Sequence, residues 1–222
     1  MRRASPAVTA ALVAALAIQI ALSAFSHGQP ERSRETLAPA PRVEVLRLAS
    51  LGEDAAAARL VMLYLQGFDL RGLDYRRLTG WLGDALALDP RSAYPLFAAA
   101  RVFAETPDPA ASRLALDFVY REFSRDPDRR WQWLAHAALL AKHRLKDLPL
   151  ARRYAAAVRR DTSPGVVPAW ARDLEAFILE DMNELEAAKI VLGGLLEHGD
   201  LHDPNERRFL RQKLQELEKR VK

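Results

Sequence analysis

Cysteine is absent from the 222 residues. That excludes disulfide cross-links, thiolate metal sites, a cysteine nucleophile and a lipid-modified N-terminal cysteine together. Glycine is scarce, ten residues in all, and no phosphate-cradling loop, dinucleotide fingerprint, serine elbow or zinc motif occurs. Like charges never run to five in a row, and Lys+Arg exceeds Asp+Glu only by 33 to 29. The pI of about 9.6 therefore reflects a few surplus arginines on a mixed surface, and no nucleic-acid partner is expected. No convincing strand alternation appears. What remains is a chain that is 50% hydrophobic, enough to bury a sizeable core, in which alanine, leucine, arginine and glutamate follow helical spacing from Val43 onward.

One long apolar run is present. After Arg2 and Arg3 there is no charge from Ala4 to Ser26, and the nineteen residues Ala7 to Phe25 are broken only by Thr9, Gln19 and Ser23. As a helix this run is about 28 Å long, close to the hydrocarbon thickness of a bilayer. Residues 1–26 are expected to be a signal anchor that stays in place as a transmembrane helix; a signal peptide cleaved near Ala24-Phe25-Ser26 is the alternative. In both cases the arginines stay cytoplasmic and the rest of the chain is translocated. Residues 27–42, with Pro30, Pro39 and Pro41 among charged and small residues, read as an extended tether.

The prolines recur. Pro90, Pro127 and Pro164 are spaced by 37 and 37 residues, and Pro204 follows 40 later. Six residues after these stand Leu96, Trp133, Trp170 and Leu210, and later columns hold Phe103, Leu140 and Phe177, then Ala104, Ala141 and Ile178. Such columns are expected to be equivalent core positions of successive helix hairpins, which stack because one hairpin cannot cover its own apolar face. A second marker, Asp or Asn followed four residues later by a small residue, recurs as Asp54 with Ala58, Asp108 with Ser112, Asp147 with Ala151 and Asn183 with Ala187. It predicts N-capped second helices packed closely at the small residue. Gly67 to Trp81 stretches the first interval and is expected to form an irregular loop.

The stretch "ALALDPRSAYPLFAAARVFA", Ala85 to Ala104, resembles the junction between two tetratricopeptide repeats. On that pattern Trp133 matches the early aromatic of a first helix, Ala100 and Ala137 its small contact position, and Ser112, Ala151 and Ala187 the small residue of the second. The resemblance covers about Arg42 to Lys222. It implies an all-α fold, a right-handed superhelix of antiparallel helix pairs over residues 43–204, closed by a capping helix at 205–222. The Leu210, Leu214, Leu217 and Val221 stripe of that last helix also suits pairing with a second copy, so a homodimer through it is the alternative.

In such arrays the first helix of each unit lines the groove. The stripe Gln132, His136 and His143, beside Trp131, is therefore where a protein or peptide partner is expected, together with Asp173 and Glu180 from the next unit. Equivalent positions elsewhere are Pro95, Ala99, Thr106 and Ala169. His136 and His143 are two turns apart, about 10 Å, too far to share a metal ion, and no nucleophile stands at motif spacing. Glu184 and Glu186 complement a helix start. The cluster Glu197, His198, Asp200, His202 and Asp203 suits a divalent ion or a turn. The expected protein is no enzyme and carries no cofactor. It is a membrane-tethered scaffold in the periplasm of a bacterium or another extracytoplasmic space, of the class that serves envelope assembly, secretion or quality control. A structural subunit of a membrane complex, or a metal-dependent enzyme at residues 197–203, are the alternatives.

Overall fold

Alanine-rich amphipathic segments with aspartate or proline at their starts account for the elements found. The computed structural model describes residues 37–69, 72–163, 165–198 and 203–221, so the apolar segment 7–25 lies outside the described residues. Residues from Leu37 onward form one unit. Its α-helices are α1 (Val43–Ala49), α2 (Asp54–Gln66), α3 (Tyr75–Leu88), α4 (Tyr94–Arg101), α5 (Pro109–Phe123), α6 (Pro127–His143), α7 (Leu148–Asp161), α8 (Ala169–Asp181), α9 (Leu185–His198) and α10 (Pro204–Val221). A 3₁₀ turn, Phe103–Glu105, follows α4. The described residues contain no strand, and among them no helix is long and apolar enough to cross a membrane.

Helix starts follow the chemistry of open amides. Asp74 accepts from Arg76 and Arg77 N–H, Asp108 from Ala110, and Asp147 from Leu150. Each carboxylate satisfies donors that have no intrahelical partner. Prolines sit in the first turn of α4, α5, α6 and α7, where the missing N–H is harmless. Two of the four marker residues behave otherwise. Asp54 is the first residue inside α2, after Glu53. Asn183 adopts φ 60° in the turn before α9, as Lys146 does with φ 56° in the turn before α7. The small residue that packs on α9 is accordingly Ala188, which is fully buried like Ser112 and Ala151, whereas Ala187 is only half-buried.

Every helix from α2 onward packs on the next one, and α4 on α6 and α6 on α8 as well. The contacts are lined by small side chains, among them Ala99, Ala100, Ala137, Ala138, Ala155 and Ala171, all without exposure, so that helix backbones approach closely. The column Ala104, Ala141 and Ile178 is wholly buried. The column expected six residues after each proline is not uniform: Leu96 and Leu210 are buried, Trp133 is half-buried and Trp170 is 53% exposed. Leu134 and Ala171, one residue further on, take the core places. Where the helix starts does not separate these positions, since α6 begins at Pro127 and α10 at Pro204; the smaller side chains of Leu134 and Ala171 let neighbouring helices approach more closely than an indole would.

Two further regions differ from expectation. The stretch from Tyr75 to Trp81 is helical, the first half of α3, because Asp74 caps it. Residues 37–41, expected to be tether, lie against that helix: Leu37 is buried, Arg77 donates to its carbonyl at 2.8 Å, and Trp81 Nε1 donates to the Ala38 carbonyl at 2.8 Å.

Polar staples join elements far apart in sequence. Arg130 on α6 is buried against Glu122 at 3.1 Å and also donates to the Glu122 and Pro90 carbonyls. Arg144 reaches the Thr106 carbonyl, Ser163 donates to Asp128, and Tyr154 donates to Asp117. Removing one member of a buried pair strands the other charge. Arg130→Ala is expected to cost roughly 3–5 kcal/mol, read as a lower denaturation midpoint at unchanged slope, with the double Arg130→Met, Glu122→Leu variant losing much less. Leu37→Ala is expected to cost roughly 2–5 kcal/mol with helix content unchanged; no loss would place the strap outside the fold.

Candidate functional site

Aromatic side chains that the core leaves out collect on one face. Phe97 on α4, Trp133 on α6 and Trp170 on α8 line a single hollow of about 320 Å³, together with Arg101, Gln132, His136 and Leu139. Trp133 meets Phe97 edge to face with ring centroids 5.8 Å apart, and Tyr94 stacks on Phe97 at 6.2 Å. Tyr94 in turn accepts a hydrogen bond from Gln66 Nε2 at 2.7 Å. Trp131 meets Trp170 edge to face at 5.7 Å. These contacts hold the rings without covering them, so the floor of the hollow is rigid and apolar.

Its polar wall is cationic. Arg101 Nη1 lies 3.2 Å from His136 Nδ1. A guanidinium only donates, so this ring nitrogen accepts and the imidazole is neutral. Burial, and then the Arg101 charge, hold the His136 pKa below its usual value, with Glu105 opposing. Among the described residues the Arg101 guanidinium has no carboxylate partner. The arrangement offers an unpaired cation beside stacked rings, which suits binding of an apolar group with a carboxylate or carbonyl near it.

The expected partner residues therefore separate. Gln132 and His136 line the hollow and Trp131 buttresses it, whereas His143, the last residue of α6, is exposed and lies outside it. Pro95, Ala99 and Thr106 are buried. Glu180 is bound to Lys213, at 2.9 Å, and to Arg220, both from α10. Asp173 is 3% exposed, and its Oδ1 has no hydrogen-bond partner. The acidic end of the stripe is thus sealed by α10, whose Leu210 and Leu217 are buried within the chain. Phe97, Arg101 and Trp170 were not among the expected residues; the 37-residue interval from Trp133 to Trp170 is the signal that marks the latter.

Metal ligation finds no support in this region. Among the described residues no three His, Cys, Asp or Glu side chains stand close enough to hold an ion. Of the 197–203 cluster, Asp203 accepts from Asn205 N–H at the start of α10, and Asp200 and His202 lie outside the described residues, as does the side chain of His198.

Burial, reinforced by Glu206, raises the Asp173 pKa to about 7 against Arg172. The sign follows from linkage: as pH rises from about 4 to about 7 the unfolded chain ionises while the folded one keeps its proton, so stability falls across that window. His136 acts the other way, costing stability as pH falls below its usual 6.5. Asp173→Asn is expected to match the wild type near pH 4 and to exceed it at pH 8 by on the order of 1–4 kcal/mol, measured by denaturation across pH. Compared with protein-family models, with curated proteins and with solved structures, the chain matches none.

Proposed function

We propose that the chain is a tetratricopeptide-like scaffold, a right-handed superhelix of antiparallel helix pairs that binds a protein or peptide segment in the aromatic hollow between α4, α6 and α8. The observation that carries this reading is the hollow itself: three large rings, held by neighbouring rings yet open, beside a cation that no carboxylate among the described residues neutralises. Two features favour stacked hairpins. Alternate helices α4, α6 and α8 touch in succession. The polar staples also span 35 to 40 residues: Ser163 to Asp128 over 35, Tyr154 to Asp117 over 37, Arg144 to Thr106 over 38 and Arg130 to Pro90 over 40. That separation is close to the proline interval, as it is when each unit is tied to its neighbour.

The apolar residues 7–25 anchor the scaffold in a bacterial inner membrane and leave the repeats in the periplasm. Recruitment is then confined to the membrane surface, which suits accessory roles in envelope assembly, secretion or quality control. The protein performs no chemistry of its own. Binding through rigid aromatic side chains concentrates affinity at a few positions.

A photoreactive residue in place of Gln132, in the full chain in native membranes, is expected to capture one partner in stoichiometric amount. Trp133→Ala combined with Trp170→Ala is expected to weaken that capture roughly 30-fold, about 2 kcal/mol. Adducts formed only from a photoreactive residue at Arg121, exposed on α5, would favour a structural subunit of a larger complex. No adduct from either position would end the scaffold reading.

A further inference from the structure

The first two helices present an apolar face that the fold leaves bare. On α1 and the turn after it, Val45, Leu48 and Leu51 are 55%, 80% and 93% exposed; on α2, Leu60 and Leu63 are 62% and 63% exposed. Leu60 reaches toward α1: with Leu46, Ala49, Tyr64 and Trp81 it lines one shallow hollow of about 200 Å³ between α1, α2 and α3. An exposed patch of this size marks a surface that something covers.

Three facts bear on the occupant. On α2 no acidic side chain occurs from Ala55 to Phe68 and Arg59 is the only charge in that stretch, while on the α1 side Arg47 pairs with Asp54 and Glu44 and Glu53 are exposed. A groove for a folded or acidic partner would carry more polar rim, whereas an apolar helix face with a flanking arginine and a tyrosine suits the headgroup boundary of a bilayer. Only the eleven residues 26–36 separate the apolar stretch from Leu37, a reach of at most about 40 Å. A bilayer that holds residues 7–25 is therefore at high effective concentration beside this face.

We propose that the face formed by Val45, Leu48, Leu51, Leu60 and Leu63 is a second membrane contact, seated at the headgroup boundary of a phospholipid bilayer. The proposal rests on the anchor reading of residues 7–25. It makes the scaffold a membrane-apposed body and not one swinging freely on a tether, with α1 and α2 toward the lipid.

The absence of cysteine makes the test direct. Single cysteines introduced as Leu48→Cys, Leu63→Cys, Ala17→Cys and Arg211→Cys in the full chain carry a nitroxide, and the protein is reconstituted into vesicles of phosphatidylethanolamine and phosphatidylglycerol. Collisions with oxygen are expected to exceed those with a water-soluble nickel chelate severalfold at positions 48, 63 and 17, and to fall below them at 211. Aqueous behaviour at 48 and 63 with lipid behaviour at 17 overturns the contact alone; aqueous behaviour at 17 as well overturns the anchor with it. Spin–spin broadening at 48 or 63 that disappears on dilution with unlabelled protein would assign the face to a second copy and overturn the lipid contact.

Discussion

The close packing of each helix on its successor is the constraint from which the rest follows. An amphipathic helix of seven to eighteen residues cannot hide its apolar stripe alone. Here the stripe is built largely of alanine, so burial per residue is small and must be gathered over many contacts. Alanine at those contacts also lets the backbones approach until loops come within reach of residues further along the chain. Those loops carry carbonyls that arginines on and just after α6 reach, as Arg130 reaches Pro90 and Arg144 reaches Thr106. The staples satisfy carbonyls that short loops would otherwise leave open.

The aromatic hollow is a by-product of the same geometry. Phe118, Phe123 and Tyr154 are buried between helices, but at two other positions a smaller neighbour takes the core place. Trp133 stands beside Leu134 and Trp170 beside Ala171, and in each pair the smaller side chain is the buried one. The rings are displaced toward the face that α4, α6 and α8 share, where they stiffen one another by edge contacts. Neutral His136 and the unpaired Arg101 then set the electrical character of the surface. A histidine kept neutral adds a hydrogen-bonding edge without a second charge.

At the far end of the same row of helices the chemistry reverses. Glu180 and Asp173 would continue the stripe with negative charge, but α10 covers them: Lys213 and Arg220 neutralise Glu180, and Asp173 is buried beside Glu206 and Arg172. The docking of α10 thus removes an acidic patch from the surface and leaves the basic, aromatic hollow as the distinctive feature of this face. The cost is a carboxyl group without a hydrogen-bond partner at Oδ1, which makes the docking of α10 sensitive to pH near neutrality.

Helical content, two helix caps and the small contact residues beside them were legible from the sequence, because capping and alanine packing are local or near-local effects: Asp108, Asp147, Ser112 and Ala151 are where their types predict. Gln132 and His136 were likewise legible as neighbours on one stripe, since helical periodicity places them there, and both line the hollow. Tertiary structure alone decided which of two adjacent side chains faces the core, so Trp170 moved from packing to surface, Trp133 packs only at the edge of the core, and Ala188 replaced Ala187. It alone brought Phe97 and Arg101 from α4 beside α6, closed α10 over Glu180 and Asp173, and laid Leu37 against α3. A one-residue change in where a helix begins turns its faces by about 100°, and no pattern within a single helix records where its neighbour will lie.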